Sequence, residues 1–96
     1  MKVLQKEFLY ELQKITTLSE KVNKNNQQKI LEMIKEHSEE IDDLYKSKDE
    51  HWAVEIADLI ILCFEMLVTK NKDIDFIFEK SIPRFHRKLK MLEKQM

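Results

Sequence analysis

The chain contains no glycine in 96 residues and a single proline, Pro83. Tight hairpins and many β-turns need a residue that accepts positive φ, and glycine does so without steric cost. Its absence leaves a sheet with few ways to turn, and the expectation is an all-α chain with no strand. The length suits one small domain spanning 1–96.

Within that frame one stretch stands apart. "HWAVEIADLIILCFEMLV", residues 51–68, is the most apolar part of a chain in which 36% of residues are charged and 43% hydrophobic. Those proportions describe a globular domain rather than a disordered one. Lysine and arginine number 17 against 18 acids, a net charge of −1 that argues against a nucleic-acid binder. The run is too short and too charged for a membrane span, and the N-terminus lacks the apolar run of a signal peptide. A cytoplasmic, soluble protein with no membrane partner is expected. The one cysteine, Cys63, excludes an intrachain disulfide and reads as a small core residue.

Apolar residues recur at helical spacing in four segments. The first covers about 3–18, with Val3, Leu4, Phe8, Leu9, Leu12 and Ile15 on one stripe. A polar stretch, "SEKVNKNNQQ", separates it from the second, about 25–46, whose stripe is Ile30, Ile34, His37, Ile41 and Leu44. Ser47 followed by Glu50 has the form of a capping box, which starts the third helix near Lys48 and runs it to about Lys70. Asp73 suits the N-cap of a fourth, about 74–94. Pro83 falls inside that last pattern and should kink the helix or begin a new one, with Ser81 as its cap.

The third helix is apolar over most of its circumference, which implies burial on several sides. Four helices in one small chain cannot easily surround one of their own members. A second copy can, so a dimer or higher oligomer through the central helices is expected.

Glu55 and Asp58 nevertheless sit on this helix, three residues apart and hence on one face, with Cβ atoms roughly 5–6 Å from each other. Glu36 and Glu39 form a similar pair on the second helix, Glu32 and Asp43 extend that acidic stripe, and Glu65 lies one heptad beyond Asp58. A short turn between antiparallel helices would set the two pairs opposite each other. Four converging carboxylates repel, and a divalent hard cation such as Mg²⁺ resolves the repulsion. An acid three residues from another also suits a solvated face in so charged a chain.

"EHSEEIDDLYKSKDEHWAVEIAD" resembles the paired ExxE and ExxD motifs of the MazG-like all-α nucleoside triphosphate pyrophosphohydrolases. Glu36-His-Ser-Glu39 matches the first and Glu55-Ile-Ala-Asp58 the second, with fifteen residues between. "EIADLIILCFEML" is similar to that family's second motif helix, and "FEKSIPRFHRKLKMLE" resembles its basic C-terminal helix. The chain differs from the family pattern at Lys35, Glu40, Phe78 and Pro83. The resemblance implies a four-helix bundle assembling as a homodimer or homotetramer. It implies an enzyme that hydrolyses a nucleoside triphosphate, ribo or deoxy, to the monophosphate and pyrophosphate, in the service of nucleotide-pool housekeeping. Glu36, Glu39, Glu55 and Asp58 would hold Mg²⁺, with Mn²⁺ able to substitute, and would be the catalytic set. Lys80, Arg84 and Arg87 would bind the substrate phosphates.

The histidines carry less. His37 lies on the apolar stripe and reads as a core or interface residue, and neither His51 nor His86 has a spaced partner for zinc. Trp52 reads as the anchor at the start of the third helix, with base stacking as its other use. The competing reading is a non-catalytic helical dimer that serves as a binding or regulatory module.

Overall fold

Four helices carry nearly all of residues 5–24 and 26–96, the part of the chain described by the computed structural model. They are α1 (Lys6–Asn23), α2 (Gln27–Lys46), α3 (Trp52–Thr69) and α4 (Ile74–Glu93). No strand occurs among the described residues, as the missing glycines imply. No helix is long and apolar enough to cross a membrane. Val3, Leu4 and the expected start of the first helix lie outside the described residues, as does Asn25.

The helix ends show where local chemistry wins. Asn26 caps α2 by accepting from Lys29 N–H at 3.2 Å, and Asp73 caps α4 by accepting from Phe76 N–H at 3.2 Å. α1 continues to Asn23, through five residues expected to be linker. The expected capping box does not form. Ser47 closes α2 instead of opening α3, its hydroxyl donating to the Leu44 carbonyl at 3.1 Å. Lys48 then takes φ 62°, which a helix interior excludes, and α3 begins only at Trp52. Lys24 and Asn71 adopt the same left-handed conformation just past α1 and α3. Glycine is the usual residue there, and this chain does without it. Pro83 neither ends α4 nor begins a new helix; one α-helix runs from Ile74 to Glu93.

α2 and α3 form an antiparallel hairpin. Trp52 meets Tyr45 edge-on at 5.5 Å near its tip, and Thr69 donates to Gln27 Oε1 at 3.1 Å at its open end. α1 packs on α3 from another side. Phe64 lies between Phe8 of α1, at 6.3 Å, and Phe78 of α4, at 6.1 Å, and the core around it comprises Leu12, Phe64 and Ile74 with Ile61, Leu67 and Val68 against them.

α3 is not buried all round in the single chain. Leu62, Phe64, Glu55 and Glu65 are buried, while Val54 and Ile60 are exposed. Cys63, expected in the core, is on the exposed side as well, because the faces of α3 that find partners here are those of Glu55 and Phe64. Partial desolvation still pushes its thiol above the ordinary range. From Glu79 onward α4 is exposed on every face.

Candidate metal centre and the crevice beside it

Glu55 sits in the first turn of α3, where the helix dipole favours an anion. It is only 8% exposed. A buried carboxylate needs partners, and Glu55 has two imidazoles. His37 Nε2 lies 3.4 Å from Oε2, and His51 Nε2 lies 3.2 Å from Oε1. The two histidines approach from different elements, His37 from α2 and His51 from the residue preceding α3. His51, which can donate from Nε2, is the partner that lets so apolar a helix carry the acid on its packed face.

The His37 ring is oriented from behind. Nδ1 is 2.8 Å from the Met33 carbonyl oxygen, which can only accept, so Nδ1 carries the hydrogen and donates. In the neutral ring Nε2 is then a bare lone pair, and it points at a carboxylate oxygen. Two electron-rich atoms at that distance repel unless a proton or a metal cation lies between them. A backbone carbonyl that fixes the tautomer while the opposite nitrogen faces a carboxylate is also the usual support of a metal-binding histidine.

Asp58, half-buried one turn beyond Glu55, completes a group. One ligand atom from each of His37, Glu55 and Asp58 can be chosen so that all lie within 4.8 Å of one another. An octahedral ion with bonds of about 2.1 Å places cis donors about 3.0 Å and trans donors about 4.2 Å apart. The His37–Glu55 separation already approaches the first figure, and a modest contraction closes the rest. The donor chemistry, one imidazole nitrogen and two carboxylates, fits a divalent cation.

Asp58 and His37 also line a crevice of about 280 Å³ between α1, α2 and α3. Ile15, Met33, Ile61 and Leu62 supply apolar walls. Glu65 lines it too and is 2% exposed, the most buried of the lining residues. Its Oε1 accepts no hydrogen bond from any described residue. Asp58 and Glu65 are two helical turns apart, roughly 10.5 Å along α3.

Of the four acids expected to converge, Glu55 and Asp58 do. Glu36 and Glu39 are exposed on α2 and do not belong to the group formed by His37, Glu55 and Asp58. The cause is the rotation of α2. Its packed face carries Ile30, Ile34, His37, Ile41 and Leu44, and the residues at 36 and 39 fall to the side of that face. Lys80, Arg84 and Arg87 are exposed on α4, and none lines the crevice. Lys80 Nζ stands 4.5 Å over the Phe76 ring, and Arg84 shares a shallow depression with Ser81, Phe85 and Lys88. His37, expected as a core or interface residue, is instead a member of this group, and a histidine alone on an aliphatic stripe was its signal in the sequence. Glu65, legible as a third acid on one side of an apolar helix, proves to be a buried lining residue of the crevice.

Comparison with protein-family models, curated proteins and solved structures returns no match.

Proposed function

We propose that the chain is a divalent-cation-dependent pyrophosphohydrolase that cleaves a nucleoside triphosphate, ribo or deoxy, to the monophosphate and pyrophosphate. In this reading it is a MazG-like bundle acting on the cytoplasmic nucleotide pool. The observation that carries the reading is the convergence of His37 Nε2, Glu55 and Asp58 beside a crevice. With an imidazole in the set, Mn²⁺ is favoured relative to Mg²⁺ more than an all-carboxylate site would favour it. Glu36 and Glu39 enter through their sequence pattern; the geometry supports His37, Glu55 and Asp58.

When bound, the cation supplies charge neutralisation for the phosphates and a water of lowered pKa. The protein's own contributions are separable. His51, which can donate from Nε2 to Glu55 Oε1, holds that carboxylate from one side, and the Met33 carbonyl keeps Nε2 of His37 directed at the site. In this reading Asp58, half-buried, would accept a proton from an attacking water.

The assembly proposed is a homo-oligomer, at least a dimer. The chain exposes 7977 Å², whereas a folded monomer of 11.7 kDa exposes about 5900 Å². Its radius of gyration is 15.9 Å against about 12.5 Å for a compact domain of this length. The excess, roughly 2000 Å² per chain, is more than the ~800 Å² per partner of a standard interface. The uncovered surface includes large apolar residues, Val54 and Ile60 on α3 and Ile82, Phe85 and Leu89 on α4. Because α4 is exposed beyond Glu79, Lys80, Arg84 and Arg87 are in this reading offered to the phosphates bound by a neighbouring copy.

The test is a calorimetric titration of the metal-stripped protein with Mn²⁺, followed by pyrophosphate release from the common nucleoside triphosphates. Binding and Mn²⁺-dependent release are expected in the wild type, with both lost in Asp58→Asn and Glu55→Gln. Failure of the wild type to bind Mn²⁺ overturns the reading. The placement of the α4 basic residues away from the crevice favours one other reading, a non-catalytic helical module, and Mn²⁺ binding without release of pyrophosphate would select it.

A further inference from the structure

Glu65 is the polar group that the metal site leaves unexplained. Leucine would pack at that position of an apolar helix. A carboxylate there, 2% exposed with Oε1 unpartnered among the described residues, is a liability in the empty protein. The same side chain lines the crevice that Asp58 and His37 also line. Oε1 is closed off from solvent in the ligand-free protein, so a ligand that fills this crevice from the metal group inward would meet Glu65 at its far end after a turn of that side chain.

We propose that Glu65 is the base-reading residue of the crevice and that it accepts the paired N–H donors of a guanine. This rests on the nucleotide reading above and names the base that reading left open. The argument is one of complementarity. An ionised carboxylate offers two oxygens and only acceptors. Guanine presents N1–H and an N2 amino hydrogen side by side, a match for both oxygens. Adenine and cytosine place a ring-nitrogen acceptor beside their amino group. Uracil and thymine place a single N–H between two carbonyls. Each of those four sets at least one lone pair against the carboxylate.

The dimensions agree. Two helical turns, roughly 10.5 Å, separate Asp58 from Glu65 along α3, comparable with the reach of a nucleotide from phosphate to base edge. The walls are apolar at Ile15, Met33, Ile61 and Leu62, with the Ser19 hydroxyl a further polar group on the lining, and apolar walls with a few placed polar groups are what a small planar ligand requires. The crevice volume of about 280 Å³ accommodates a purine.

The experiment uses the full chain with saturating Mn²⁺ and measures binding of GMP, AMP, CMP and UMP by calorimetry. GMP is expected to bind roughly tenfold tighter than each of the others, the scale of one good bidentate contact to a base edge. Glu65→Gln replaces one acceptor with a donor, and Glu65→Leu removes both. In each variant the preference should shrink to within about twofold. Circular dichroism checks that both variants fold, and a Mn²⁺ titration reads the metal group separately. Mn²⁺ binding by the wild type without a preference for GMP overturns this inference and leaves the metal-site reading standing. A preference that survives Glu65→Gln overturns it as well. Absence of Mn²⁺ binding by the wild type brings down the nucleotide reading and this inference with it.

Discussion

Replacing Glu65 by leucine should make the ligand-free protein more stable. The side chain is buried against α3's neighbours, and Oε1 has no donor among the described residues. Leaving a buried acceptor unsatisfied costs about 1–3 kcal/mol. Leucine is close to glutamate in volume, so the packing penalty of the exchange should stay below about 1.5 kcal/mol. The midpoints of those ranges leave a net gain of about 1 kcal/mol. For a domain of this size each kcal/mol moves Tm by roughly 4–8 °C, so the variant should melt at least about 4 °C higher. Thermal unfolding followed at the helical far-UV bands, with chelator present and protein concentrations matched, measures the shift. Concentration matters because an oligomer melts by mass action. Leu12→Ala, in an equally buried position, is the control of opposite sign, with an expected loss of about 2–5 kcal/mol. If Glu65→Leu folds normally and melts at or below the wild-type temperature, Glu65 has a donor in solution, and the idea of a group kept unsatisfied for a ligand fails.

Ile60→Asp separates monomer from oligomer. Ile60 is 47% exposed in the single chain, where the change should cost no more than about 0.5 kcal/mol. If a second copy covers that face, the variant should dissociate or unfold, and light scattering on a size-exclusion column, expected to give at least twice 11.7 kDa for the wild type, reports the outcome. Asp73→Ala removes the α4 cap and should cost about 1 kcal/mol in chemical denaturation, whereas Glu50→Gln should be neutral because no capping box forms there. Lys48→Gly should stabilise by up to about 1 kcal/mol, since it relieves a left-handed lysine in an exposed turn. A lower denaturant midpoint for that variant would refute the assignment of strain to Lys48.

The sequence by itself determined the class and the number of elements. Apolar residues at helical spacing are a local property, and so is the absence of glycine, and together they leave four helices and no strand among the described residues. The cap at Asp73 was legible for the same reason, because a side chain and an N–H three residues on make a complete local interaction. Ser47 shows the limit of such reasoning. Its hydroxyl can serve the end of one helix or the start of the next, and a left-handed Lys48 decides for the former. Glu55 and Asp58 were legible as a pair because they share one helix.

Their companion was not legible, because it comes from another helix. The acids at 36 and 39 and the histidine at 37 differ by a fraction of a turn, and the motif pattern favoured the acids. Packing of Ile30, Ile34, Ile41 and Leu44 against α3 sets the rotation of α2, and that rotation delivers His37 to Glu55 and leaves Glu36 and Glu39 in solvent. Glu65 was visible as an acid two turns beyond Asp58. That it is buried, that it lacks a donor and that it borders a crevice depend on α1 and α2 closing over it, contacts between residues far apart in the chain that no periodicity encodes.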